Sequence, residues 1–74
     1  MSSIHSKKYQ EFLTKLKAAR LDAGLTQAIV AKKLKKPQSF VSKCESGERR
    51  VDVIELRQFA DLYRKPLTYF EVAP

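Results

Sequence analysis

Thr26-Gln27-Ala28-Ile29-Val30-Ala31-Lys32-Lys33-Leu34, a break at Lys35-Lys36-Pro37, and Gln38-Ser39-Phe40-Val41-Ser42-Lys43-Cys44-Glu45-Ser46-Gly47 form the stretch that decides how the chain folds. Thr26 carries the side-chain oxygen of a good helix N-cap. The helix it starts, Gln27 to Leu34, turns Val30, Ala31 and Leu34 to one side. Ile29 stands three residues after the cap, where a capping box needs Glu or Gln, so the box is incomplete. Pro37 lacks an amide hydrogen and cannot continue a helix, but its fixed φ suits the first position of a new one. That next helix, Gln38 to Ser46, puts Val41 and Cys44 inward and shows Gln38, Ser39, Ser42, Lys43 and Ser46 on the opposite face. Gly47 ends it.

Outward from this stretch the pattern stays helical. A first helix is expected from Lys8 to Ala23, with Phe12, Leu16, Ala19, Arg20 and Ala23 on one face and Leu13 at its edge. Gly24 is the left-handed residue that closes it. Asp52 caps a fourth helix running to Tyr63, with a stripe of Val53, Leu56, Phe59, Ala60 and Tyr63. Pro66 stops that helix, and Leu67 to Val72 forms a last helical turn that returns Leu67 and Phe70 to the core. Two Gly and three Pro in the whole chain fit a mostly helical protein. No internal repeat or low-complexity segment is visible, and nothing calls for a strand. The 74 residues allow one domain over 1–74, with 1–7 as a flexible N-terminal arm and 8–72 as the bundle.

Composition narrows the function. Hydrophobic residues at 43% suffice for a core, and 31% charged is not a disordered composition. The net charge of +7 and a pI near 9.8 point to a polyanionic partner. The charge is uneven: residues 1–31 carry net +3, residues 32–50 carry +5, and residues 51–74 carry −1. A lone Cys44 and a lone His5 exclude a disulfide framework and a metal set, so no metal or cofactor is expected. No apolar run is long enough for a membrane span and no signal-peptide core is present, which predicts a cytoplasmic protein. There is no nucleophile beside a base and no phosphate-cradling Gly-rich loop, so an enzyme is not expected. Few aromatics on the polar face argue against general RNA binding.

Two short helices joined by a three-residue turn, the second showing amide and hydroxyl side chains outward, is an arrangement that DNA readers use. Gln bonds adenine at two edges, Lys prefers guanine acceptors, and Ser suits either. Leu25-Thr26-Gln27, Val30-Ala31, Leu34, Gln38-Ser39-Phe40-Val41-Ser42-Lys43 and Glu45-Ser46-Gly47-Glu48-Arg49-Arg50 together resemble the phage-repressor helix-turn-helix family (Cro/C1 type, XRE) over residues 9–71. The resemblance implies an all-α, five-helix lambda-repressor-like bundle, acting as a twofold dimer on double-stranded DNA. It implies that Gln38, Ser39, Ser42 and Lys43 read bases, with Pro37 placed for apolar contact with a thymine methyl. It also implies that Gln27, Lys36, Arg49 and Arg50 hold phosphates, and that Arg20 and Glu45 form a buried ion pair. Two residues depart from the family pattern. Lys35 occupies a turn position usually held by Gly, where a left-handed conformation costs about 1–2 kcal/mol, so a slightly altered turn is expected. Cys44 replaces a larger apolar residue and reads as a small core side chain rather than a redox sensor.

Other residues have plainer roles. Phe40, beside the core face, is assigned to packing, and Lys32 and Lys33 to the solvated side of their helix. Ile54, Leu62 and Tyr69 are apolar residues the core does not use, in the segment without net positive charge, and they mark the expected homodimer interface. With the chain ending after the bundle, no small-molecule effector is expected. The predicted function is a sequence-specific regulator, a bacterial or phage-encoded repressor or autoregulator on a palindromic operator, nucleoid-associated when bound. The alternative is an antitoxin or adaptor of the same fold whose main work is to neutralise a partner protein.

Overall fold

A computed structural model describes residues 6–74. Helices α1 (Lys7–Asp22), α2 (Gln27–Leu34), α3 (Gln38–Ser46) and α4 (Val53–Tyr63) are followed by a short 3-10 turn, Leu67–Phe70. The described residues contain no strand. The five-helix expectation is therefore corrected to four helices and a 3-10 turn. Pro66 offers the last segment no side-chain cap, and Glu71 is already extended, so only short-range bonds form: Tyr69 N–H to Pro66 O at 3.0 Å and Glu71 N–H to Thr68 O at 3.2 Å.

Local chemistry sets the boundaries. Ser6 accepts the Tyr9 N–H at 3.1 Å, so α1 begins at Lys7, and two residues of the expected arm belong to the helix and its cap. The rest of that arm, including His5, lies outside the described residues. Thr26 caps α2 through Ile29 N–H at 3.1 Å. At α4 the box is complete: the Asp52 carboxylate accepts Glu55 N–H at 2.7 Å while Glu55 accepts Asp52 N–H at 3.1 Å. α3 keeps the expected bounds, with Pro37 as its N-cap rather than its first helical residue, and Pro37 gives that helix no side-chain cap bond.

One turn is used twice. Lys35 and Arg64 both sit left-handed at φ 59, ψ 44, and each precedes a Lys-Pro pair. Lys36 N–H reaches back to Ala31 O and Lys65 N–H to Ala60 O, each at 2.9 Å, the six-to-one bond that closes a helix end. Lys35 thus keeps the turn that Gly would adopt, without the alteration expected, and a cation at the helix C-terminus offsets part of the strain. Three positions, a cation followed by Lys-Pro, carry this short repeat.

The core is Leu16, Ala19, Val30, Ala31, Val41, Cys44, Phe59, Ala60, Tyr63 and Phe70, all buried. Leu13, expected at an edge, is 4% exposed, whereas Phe12 is half-buried. Ala23 is exposed because α1 has ended. Val53 is 69% exposed although it lies on the α4 stripe, because the stripe fades toward the first turn: Ala60 is buried, Leu56 half-buried, Val53 open. Leu67 stays 38% exposed, leaving Phe70 to close the bundle.

Gly47 and Gly24 are both left-handed, at φ 86 and φ 73. A Cβ on Gly47 would meet Leu13 Cδ1 at 2.8 Å, whereas one on Gly24 would meet nothing within 4 Å. Gly24→Ala should therefore cost about 1–2 kcal/mol from the backbone alone. Gly47→Ala should cost about 2–5 kcal/mol, because overpacking adds to the same strain. Urea denaturation of the two variants measures the difference.

Candidate nucleic-acid interface

The interface is built on a buried ion pair. Arg20 Nε donates to Glu45 Oε2 at 2.6 Å and Nη2 to Oε1 at 3.1 Å, with side chains 9% and 6% exposed. Arg20 Nη1 donates to Leu25 O at 2.9 Å, and Gln27 Nε2 to Glu45 Oε1 at 3.0 Å. The Glu45 hydrogen bond holds the Arg20 guanidinium pKa above its ordinary value, against the opposing pull of burial. The network ties α1, the first residue of α2 and the inner side of α3 together. Beside it the Tyr63 hydroxyl is buried without a hydrogen-bond partner, and burial pushes its pKa up.

With Val41 and Cys44 fully buried, the opposite face of α3 is turned outward. Gln38, Ser39 and Lys43 are exposed; Ser42 is half-buried, and its hydroxyl donates to Ser39 O at 3.2 Å. Cys44 is a core side chain, its thiol pKa raised by burial.

The expected phosphate-holding cations lie on aromatic faces. Lys36 Nζ stands 5.3 Å and the Arg49 guanidinium 4.8 Å from the Phe40 ring centre, and Arg50 stands 4.7 Å from Tyr9. Phe40 is stacked on the buried Phe59 at 6.2 Å, so its packing role and its contact with the basic surface coexist. Tyr9 is fixed in turn by accepting the Val51 N–H at 3.1 Å. Gln27, expected at a phosphate, uses one amide hydrogen on Glu45.

A model of the helix-turn-helix family, Cro/C1 type, matches residues 16–70, from core Leu16 to core Phe70. The chain belongs to this family. No curated protein matches the chain. The family is one of DNA-binding transcription regulators, and double-stranded DNA is the ligand its fold implies. Among the described residues no helix is long and apolar enough to cross a membrane.

This helix-turn-helix protein also has features that the residue pattern did not disclose. Arg49 forms a two-pronged pair with Glu55, Nη1 to Oε1 at 2.7 Å and Nη2 to Oε2 at 2.8 Å. The Asp52-x-x-Glu55 spacing was a legible capping signal; its arginine partner was not. Of the expected dimer residues, Ile54 is 67% exposed beside the open Val53, while Leu62 and Tyr69 are half-buried against the core. Tyr69 lies between Lys65 at 4.7 Å and Lys15 at 5.8 Å, and Lys15 also donates to Tyr69 O and Glu71 O at 3.3 and 2.9 Å. A cleft of about 630 Å³ brings Asp22 and Asp61 to one lining, yet each carboxylate is ion-paired, with Lys65 and with Arg57.

Glu45→Gln should destabilise the protein by about 3–5 kcal/mol, because Arg20 is left buried without its counter-charge; thermal and urea unfolding test it. The Glu55 carboxyl is held below its ordinary 4.5, chiefly by the Arg49 hydrogen bond. A lowered folded-state pKa contributes stability above the unfolded value that disappears as pH falls through the folded one. Stability should thus decline below about pH 4.5, and Glu55→Gln should flatten part of that decline in urea melts across a pH series.

Proposed function

We propose that this protein is a sequence-specific regulator that binds a palindromic operator as a homodimer, acting as a repressor of its own or a neighbouring gene. The observation that carries the reading is the orientation of α3: its apolar side is sealed in the core and its Gln38, Ser39 and Lys43 side stands clear. Gln38, in the first turn, would bond an adenine edge, Lys43, five residues on, would reach guanine, and Ser39 would bond either. Ser42 contributes as an acceptor, since its proton is given to Ser39 O. Pro37, exposed at the helix entrance, offers an apolar contact to a thymine methyl.

Lys36 and Arg50 flank α3 and would hold phosphates on either side of the groove, their heads pre-placed on Phe40 and Tyr9. Gln27 would add a phosphate contact through its second amide hydrogen. The homodimer face is proposed on the side of Ile54, Leu62 and Tyr69, where the exposed Val53–Ile54 pair gives apolar area that the monomer leaves open. The same pair is what a partner protein would use if the chain were instead an antitoxin or adaptor.

Selection of bound duplexes from a random DNA pool at stated salt separates these readings. A palindromic consensus whose binding weakens steeply with salt is expected. Gln38→Ala should then relax preference at one base pair in each half-site by about 1–3 kcal/mol. Recovery of no consensus would favour the partner-binding role, and a uniform loss across all sequences would reduce Gln38 to a phosphate contact.

A further inference from the structure

We infer that Arg49 is a positioning residue, fastened to Glu55 and Phe40 so that the exit of α3 and the start of α4 hold one geometry, and that it is not itself a phosphate contact. The inference rests on the DNA-binding reading above and concerns how its surface is held.

The hydrogen-bond inventory supports it. Arg49 Nη1 donates to Glu55 Oε1 at 2.7 Å and to Arg50 O at 3.0 Å, which occupies both of its hydrogens. Nη2 donates to Glu55 Oε2 at 2.8 Å. Glu55 is itself committed, since its Oε1 also accepts the Asp52 N–H that begins α4. The Arg49 backbone N–H returns to Lys43 O at 3.1 Å, closing the end of α3. Its guanidinium lies 4.8 Å from Phe40, whose ring is stacked on buried Phe59 of α4. One side chain thus contacts α3, the loop and the first turn of α4. These bonds use three of the five guanidinium hydrogens on a side chain that is 43% exposed, but a phosphate reaching the other two would stand against the Glu55 carboxylate, which repels it and already neutralises the guanidinium. A fork between guanidinium and carboxylate is a strong and directional pair, and it cancels the charge a phosphate would seek.

The test turns on opposite signs. Glu55→Gln raises the net charge by one and releases Arg49, so a phosphate-contacting Arg49 would bind DNA more tightly in that variant. A positioning Arg49 predicts weaker binding. The probe is the consensus duplex recovered by selection, titrated by fluorescence anisotropy across a salt series. Arg49→Met and Glu55→Gln should each weaken binding about tenfold, and the double variant no further, because both remove one contact. The slope of log affinity against log salt should remain that of the wild type in Arg49→Met, whereas Lys36→Met should reduce it by about 1. Arg49→Lys, which keeps the charge and loses the fork, should be as weak as Arg49→Met. The charge exchange Arg49→Glu with Glu55→Arg should bind more tightly than either single variant, though below the wild type, since the pair is remade while the bond from Asp52 N–H and the contact with Phe40 are lost. If Arg49→Met proves too unstable to assay, Arg49→Lys and the exchange decide the matter. A slope reduced by about 1 in Arg49→Met, or tighter binding by Glu55→Gln, overturns the inference while leaving the DNA reading intact. Absence of salt-dependent binding by the wild type sinks the DNA reading, and the inference with it.

Discussion

The contact between Arg20 and Glu45 joins two charges that the interior would otherwise reject, and the orientation of α3 depends on it. Desolvating both groups is expensive, and their mutual attraction with additional hydrogen bonds has to offset that cost. Here the additional bonds come from Leu25 O and the Gln27 amide, so the pair draws in the α1–α2 turn and the start of α2. A well-packed apolar pair could stabilise such a site equally well. What it could not do is fix direction: a two-pronged guanidinium–carboxylate contact has one geometry, and it sets how α3 is rotated about its axis. With that rotation set, Val41 and Cys44 face the core and Gln38, Ser39 and Lys43 face away from it.

A second constraint is size. A chain of 74 residues has a thin core, and the protein uses its aromatic residues at the core margin to hold cations. Phe40 carries Lys36 and Arg49, Tyr9 carries Arg50, and Tyr69 lies between Lys15 and Lys65. Each contact at an exposed site is worth only about 0.5–1 kcal/mol. Their consequence is less in stability than in placement, because a long side chain held on a ring loses less freedom when it meets an anion. The same economy shows in the two Lys-Pro turns, where a left-handed cation ends one helix and a proline opens the next segment. At the second turn this brings the 3-10 segment and buried Phe70 back onto α1, with Lys15 bonded to the backbone beyond it.

The division between what was legible and what was not follows from the range of the interactions. Bounds of α2 and α3, the caps at Thr26 and Asp52, the left-handed Gly24 and Gly47, and the inward Val30, Ala31, Val41 and Cys44 are properties of neighbours a few residues apart, and the residue pattern carries them. The pattern misplaced Val53, Leu67 and Ala23 because periodicity gives a direction around a helix axis and says nothing of where the bundle ends along it. It left the last segment as a helix because nothing local separates a short α-turn from a 3-10 turn.

The sequence by itself determined the helical class, the helix-turn-helix spacing and the concentration of positive charge between Lys32 and Arg50, since these depend on residue type and interval alone. The Arg20–Glu45 pair was legible only through the family pattern, as the two residues are 25 apart along the chain. Only the tertiary structure decided what each cation touches. Lys36, Arg49 and Arg50 look alike as charges, yet Arg49 is bound into Glu55, which stands six residues on at the start of α4. Charge is a property of a residue, whereas its availability depends on the neighbours that folding brings to it.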